Sequence, residues 1–139
     1  MNQVDYNMTK DINILLIDDS DVDNFINKAI ISKEDNISQI TTMTSGQDAL
    51  EYLTGIVENT EAYPDVIFLD IKMPGMNGFE FLDEYQKMPD SITNHCKIYI
   101  LSSSIDSIDS DKGREYPVVR KHLTKPLAHH QIGNLLAED

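Results

Sequence analysis

A single α/β domain, with a parallel sheet covered by helices on both faces, is the fold class that the sequence predicts. Three observations carry it. Short apolar or β-branched runs alternate with helix-period segments five times along the chain, as right-handed crossover units require. Three of those runs, INILLI, VIFL and IYIL, are apolar at nearly every position, the pattern of strands buried on both faces. The 139 residues are 40% hydrophobic and 25% charged, which is average globular usage and enough chain for one core without disulfides or a structural metal.

The elements follow in order. Ile12–Ile17 is the first strand, and it stops abruptly at Asp18-Asp19-Ser20-Asp21. Beyond it Val22, Phe25, Ile26, Ala29 and Ile30 recur at helical spacing, one apolar stripe of an amphipathic helix. Ile37–Met43 is the second strand, and Ser45 is the N-cap of a helix carrying Ala49, Leu50, Leu53, Ile56 and Val57, because a serine hydroxyl satisfies a free amide of the first turn. Residues 59–64 read as a loop. The third strand, Val66–Leu69, runs straight into Asp70, the turn KMPGMNG and a helix bearing Phe79, Leu82 and Tyr85. Ile98–Leu101 is the fourth strand and meets Ser102-Ser103-Ser104, after which residues 105–116 carry only sparse apolar positions in an Asp- and Ser-rich helix. The fifth strand, Lys121–Thr124, leads to Lys125-Pro126, and Leu127, Ile132, Leu135 and Leu136 suit a terminal helix. Residues 1–10 read as an N-terminal extension and 11–139 as the domain.

Charge and cysteine content narrow the function classes. Eleven Lys and Arg against 24 Asp and Glu give a formal net charge of -13, which repels phosphate backbones and anionic lipid headgroups. Neither direct nucleic-acid binding nor a membrane partner is expected. Cys96 is the one cysteine and cannot form an internal disulfide, and it reads as a packed thiol beside a strand. The stretch MNQVDYNMTKD carries no apolar core behind a basic start, and no apolar run approaches membrane-spanning length, so a soluble, cytoplasmic protein is expected.

Parallel crossovers put the C-terminal ends of all strands on one edge, where such sheets bind ligands. Just past the predicted strands stand Asp18 and Asp19, then Asp70, then Ser102, then Lys125. Three converging carboxylates repel one another unless they share a hard cation, and Mg²⁺ with its octahedral oxygen demand suits them. A carboxylate beside Mg²⁺ can attack a phosphoryl group, with the lysine and hydroxyl supplying donors to its oxygens. Taken alone, Asp18 to Asp21 would read first as acids at the positive end of a helix. His95, His122, His129 and His130 show no metal-ligand spacing, and Phe79, Phe81 and Tyr85 need only be packing aromatics.

The segments LLIDDSD, VIFLDIKMPGMNGFEFL, YILSSS and HLTKPL resemble the motifs of two-component response-regulator receiver domains, over roughly residues 10–137. The resemblance implies a flavodoxin-like (βα)5 fold with strand order 2-1-3-4-5, with Asp70 as phosphoacceptor. It also implies a Mg²⁺ site made with Asp70, by Asp19 directly, by Asp18 mainly through a water, and by the backbone carbonyl of Lys72. Lys125 pairs with the phosphoryl oxygens in this reading, Ser102 is the switch hydroxyl, and the Lys125-Pro126 bond is cis. Lys72 and Ser104, two residues beyond the acceptor and the hydroxyl, flank the phosphoryl group and tune its lifetime. Two departures stand out: Ser103 replaces the usual Ala or Gly, and His122 replaces the switch Tyr or Phe.

The expected function is a signalling switch that takes its phosphoryl group from a sensor histidine kinase or a histidine phosphotransfer protein and signals to a downstream protein partner. It is not a turnover enzyme. Two alternatives are a relay intermediate that passes the group to another histidine and an interaction domain independent of phosphorylation. A Mg²⁺-dependent phosphohydrolase fits poorly, because Lys72 stands where such enzymes of the haloacid-dehalogenase type carry their general-acid Asp.

Overall fold

The computed structural model describes residues 11–103 and 107–137. Within them β1 (Ile12–Ile17), β2 (Ile37–Met43), β3 (Val66–Leu69), β4 (Lys97–Ser102) and β5 (Val119–Thr124) form one parallel sheet in the order β2-β1-β3-β4-β5. That is the flavodoxin-like order. The helices are α1 (Asp21–Ile31), α2 (Gly46–Gly55), α3 (Gly78–Tyr85), the single turn α4 (Asp90–Thr93), α5 (Ser107–Gly113) and α6 (His129–Ala137). The expected N-terminal extension, residues 1–10, and Ser104 lie outside the described residues. No helix among the described residues is long and apolar enough to cross a membrane.

Strand composition explains strand position. The VIFL run of β3 is buried at every residue and lies at the centre, whereas β2 and β5, which mix apolar and polar residues, form the edges. Successive side chains of a strand point to opposite faces, so the sheet divides two cores. Leu15, Ile17, Ile67, Leu69, Ile98 and Ile100 face α2, α3 and α4 on one side. Ile14, Leu16, Val66, Phe68, Tyr99 and Leu101 meet Ile31 of α1 and Ile132 and Leu135 of α6 on the other. Cys96 lies in the first core, where burial pushes its thiol up to about 12.

Helix α1 departs from the expectation. Its period is helical, but Val22, Phe25 and Ile26 of the apolar stripe are 66%, 74% and 40% exposed, and the buried positions are Asn24, Asn27 and Ile31. The reason lies in the polar edge that this helix covers. Asn24 Nδ2 donates to the backbone carbonyls of Asp18 at 2.9 Å and Met43 at 3.4 Å, and Asn27 Oδ1 accepts from Leu127 N at 3.1 Å. Loop backbone groups buried there need partners, and that need sets the rotation of the helix.

Smaller differences concern element boundaries. The α4 turn, with Ile92 buried, falls where no element was expected, and β4 and β5 begin earlier than expected, at Lys97 and Val119. The loop at residues 59–64 contains a 3₁₀ turn at Thr60–Ala62. Ser45 caps α2 as expected, its side chain accepting from Asp48 N, and the Lys125-Pro126 bond is cis.

Candidate functional site

Backbone bonds extend the ladders past the strand ends and so place the site. Asp70 N donates to Ile17 O at 2.9 Å, Asp18 N to Met43 O at 3.0 Å, and Lys125 N to Ser102 O at 2.8 Å. These bonds hold Asp18, Asp70, Ser102 and Lys125 at one edge. The turn after Asp70 then folds back: Gly75 has φ +78, and Gly78 N donates to Ile71 O at 2.8 Å. A Cβ on Gly78 would lie 2.6 Å from the Asp70 carbonyl oxygen and 2.8 Å from Ile71 Cα. Only glycine permits this approach. Asn77 and Glu80 close a reciprocal cap on α3 directly behind it.

Carboxylate oxygens of Asp18, Asp19 and Asp70 all lie within 4.8 Å of one another, and among the described residues no other group of three His, Cys, Asp or Glu side chains converges in this way. Asp70 is 5% exposed. Burial first, and then the charges of Asp18 and Asp19, raise its carboxyl to about 7, against the opposing pull of Lys125 and the Lys72 backbone N–H. Both Asp18 oxygens are engaged: Oδ1 accepts from Ser20 N at 2.9 Å and Oδ2 from Lys125 Nζ at 2.7 Å. Asp19 is exposed, and its carboxylate has no hydrogen bond among the described residues. The trio therefore offers oxygens to a hard cation, with Asp19 the least committed of the three.

Lys125 is only 10% exposed and makes its second hydrogen bond to Asp23 Oδ2 at 2.8 Å, while Asp70 Oδ1 stands 3.8 Å away. Burial opposes its charge, but the bonds to Asp18 and Asp23 and the field of Asp70 hold its pKa above the ordinary lysine value. Asp23 is the residue that sequence reasoning missed. Its signal was present: an acid in the first turn of a helix that begins just past the Asp18-Asp19 pair points back at the same edge.

Ser102 is buried, and its Oγ lies 3.4 Å from His122 Nε2 on the neighbouring strand. The expected switch pair is thus in contact. Lys72 leaves the acid cluster and reaches α5, its Nζ 4.0 Å from Asp109 Oδ2. Ser103 is exposed. Two other histidines pair elsewhere, His95 with Asp65 at 2.7 Å and His129 with Glu34 at 3.2 Å. Phe79, Phe81 and Tyr85 are core residues.

Comparison with known proteins gives a consistent picture. The response regulator receiver domain family matches residues 14–137. Protein PilH of Pseudomonas aeruginosa is 29% identical over 114 residues, 82% of this chain and 85% of that protein. A protein-glutamate methylesterase/protein-glutamine glutaminase of Paramagnetospirillum magneticum is 38% identical over 73 residues, 52% of this chain but 19% of its own length. The chain spans about a fifth to about a third of the length of the first curated relatives it matches. A two-component response regulator structure from Cytophaga hutchinsonii superposes with a TM-score of 0.84 at 34% identity, covering 91% of this chain and 95% of that one. Since the family match takes in the whole sheet beyond the first two residues of β1 and all the helices, the chain belongs to the receiver domains of two-component response regulators.

Proposed function

We propose that the domain is a phosphorylatable switch whose acceptor is Asp70. The observation that carries this reading is the placement of that carboxylate: 5% exposed, grouped with Asp18 and Asp19, and 3.8 Å from the Lys125 ammonium at the ligand-binding edge of the sheet. A carboxylate Oδ attacks the phosphorus of a phosphohistidine, the phosphorus–nitrogen bond breaks, and the imidazole keeps the electron pair and takes up a proton. Asp18, Asp19, Asp70 and the Lys72 carbonyl would hold Mg²⁺, which would supply positive charge against the carboxylates and the incoming oxygens. Lys125 and Ser102 donate to those oxygens. In this scheme the protein carries out only its own phosphorylation and the later loss of that group, and so acts as a switch.

The donor is a sensor histidine kinase or a histidine phosphotransfer protein. The exposed Val22, Phe25 and Ile26 beside the site give it an apolar docking face, continuous with an open cavity of about 230 Å³ lined by Asp23, Ile26, Ser103, Lys125 and Pro126. Output runs through Ser102, which turns toward the new anion and leaves His122, altering the β4–β5 and α5 surface for a downstream protein partner. Lys72 tunes the lifetime of the phosphoryl group, since it can lean toward that anion only by leaving Asp109. A companion role for Ser104 rests on the sequence alone.

Intact mass after incubation with a small phosphodonor tests the reading. One added phosphoryl group with Mg²⁺, none with chelator and none on Asp70→Asn is the expected result. The same increment on Asp70→Asn overturns it.

A further inference from the structure

The Lys125 ammonium has three donors, and two of them are committed: to Asp18 Oδ2 at 2.7 Å and Asp23 Oδ2 at 2.8 Å. Asp70 Oδ1, at 3.8 Å, is beyond hydrogen-bond reach. The two bonded acids differ in kind. Asp18 is buried beneath the site, whereas Asp23 stands on the rim, its side chain 37% exposed and its backbone N–H fixed by Ser20 Oγ at 3.1 Å. Asp23 therefore draws the ammonium toward α1 and solvent, off the line to Asp70.

We propose that Asp23 is a positioning residue that tethers Lys125 away from the acceptor, so that the phosphorylated state forms only as the ammonium shifts from Asp23 toward the phosphoryl oxygens. The inference rests on Asp70 being the acceptor. Charge-assisted bonds of this kind are strong and short, and a half-exposed carboxylate is the partner that water can most readily replace. The tether thus opposes phosphoryl binding without blocking it, and sets how firmly the site holds the group.

Beryllofluoride, whose fluorines accept hydrogen bonds as phosphoryl oxygens do, is the probe, titrated at saturating Mg²⁺ and followed by ¹⁹F NMR on the full chain. Asp23→Asn keeps the shape and removes the charge, and it is expected to tighten binding about fivefold. Asp21→Asn removes the same charge from the same helical turn without contacting Lys125 and is expected to change binding less than about twofold. In a Lys125→Met background the Asp23→Asn effect is expected to vanish, since a tether has nothing left to hold. Unchanged or weaker binding in Asp23→Asn overturns the inference alone, as does equal tightening with and without Lys125. No uptake by the unsubstituted chain overturns the acceptor reading, and the inference with it.

Discussion

Asp70 is a carboxylate that the fold places where charge is disfavoured. Its pKa of about 7, against an ordinary 3.8, means that the folded protein binds a proton that the unfolded chain releases. Between those values stability falls as pH rises, because deprotonation favours the unfolded state. For the metal-free protein, urea melts are therefore expected to show stability declining from about pH 4 to pH 7, and Asp70→Asn is expected to flatten that decline and to raise stability at pH 7 by on the order of a few kcal/mol. Added Mg²⁺ is expected to stabilise more at pH 7 than at pH 5. The neighbouring acids divide differently. Asp19→Ala is expected to weaken Mg²⁺ binding more than Asp18→Ala in a titration, while Asp18→Ala is expected to cost about 1–3 kcal/mol of folding stability by removing one of the two acceptors of Lys125 and the acceptor of Ser20 N. Asp18, Asp19 and Asp70 were legible in the sequence because each follows a strand that ends without transition. The signal at Asp23 was masked, since an acid in a first turn already has a sufficient explanation in the helix dipole.

At the level of elements, periodicity identified α1 as a helix but gave it the wrong rotation. A stripe of Val22, Phe25 and Ile26 satisfies the rule for a core-facing side, yet Asn24 and Asn27 face inward because the loops at the strand ends have amides and carbonyls to satisfy. Hydropathy has no term for that demand. The exposed stripe is expected to be dispensable for folding: Phe25→Ser should change stability within about 0.5 kcal/mol. It should slow phosphotransfer from a histidine-containing donor while leaving labelling by a small phosphodonor unchanged. Equal loss with both donors would detach the stripe from docking. The 105–116 stretch was hard to read for a simpler reason, since Ile108, its most apolar helical residue, is 76% exposed and contributes no inward period.

Across the whole molecule, strand composition and strand order agree: the most apolar run is central and the mixed ones are edges. The alternation of elements gave the parallel sheet, but the order of strands came only from the motifs, because burial patterns alone do not say which edge strand lies beside β1. A net charge of -13 sets the charges against one another, and moderate salt is expected to raise the melting temperature by screening them. The glycine behind Asp70 adds a mechanical asymmetry. With no room for a methyl group between α3 and the Asp70 backbone, that flank works as a fixed wall, and Gly78→Ala is expected to cost about 1–3 kcal/mol in a denaturant melt. On the opposite flank Ser102 and His122 meet side chain to side chain. If Asp70 takes a phosphoryl group as proposed, the resulting displacement is expected to run across the sheet toward Ser102 and His122 and not into α3.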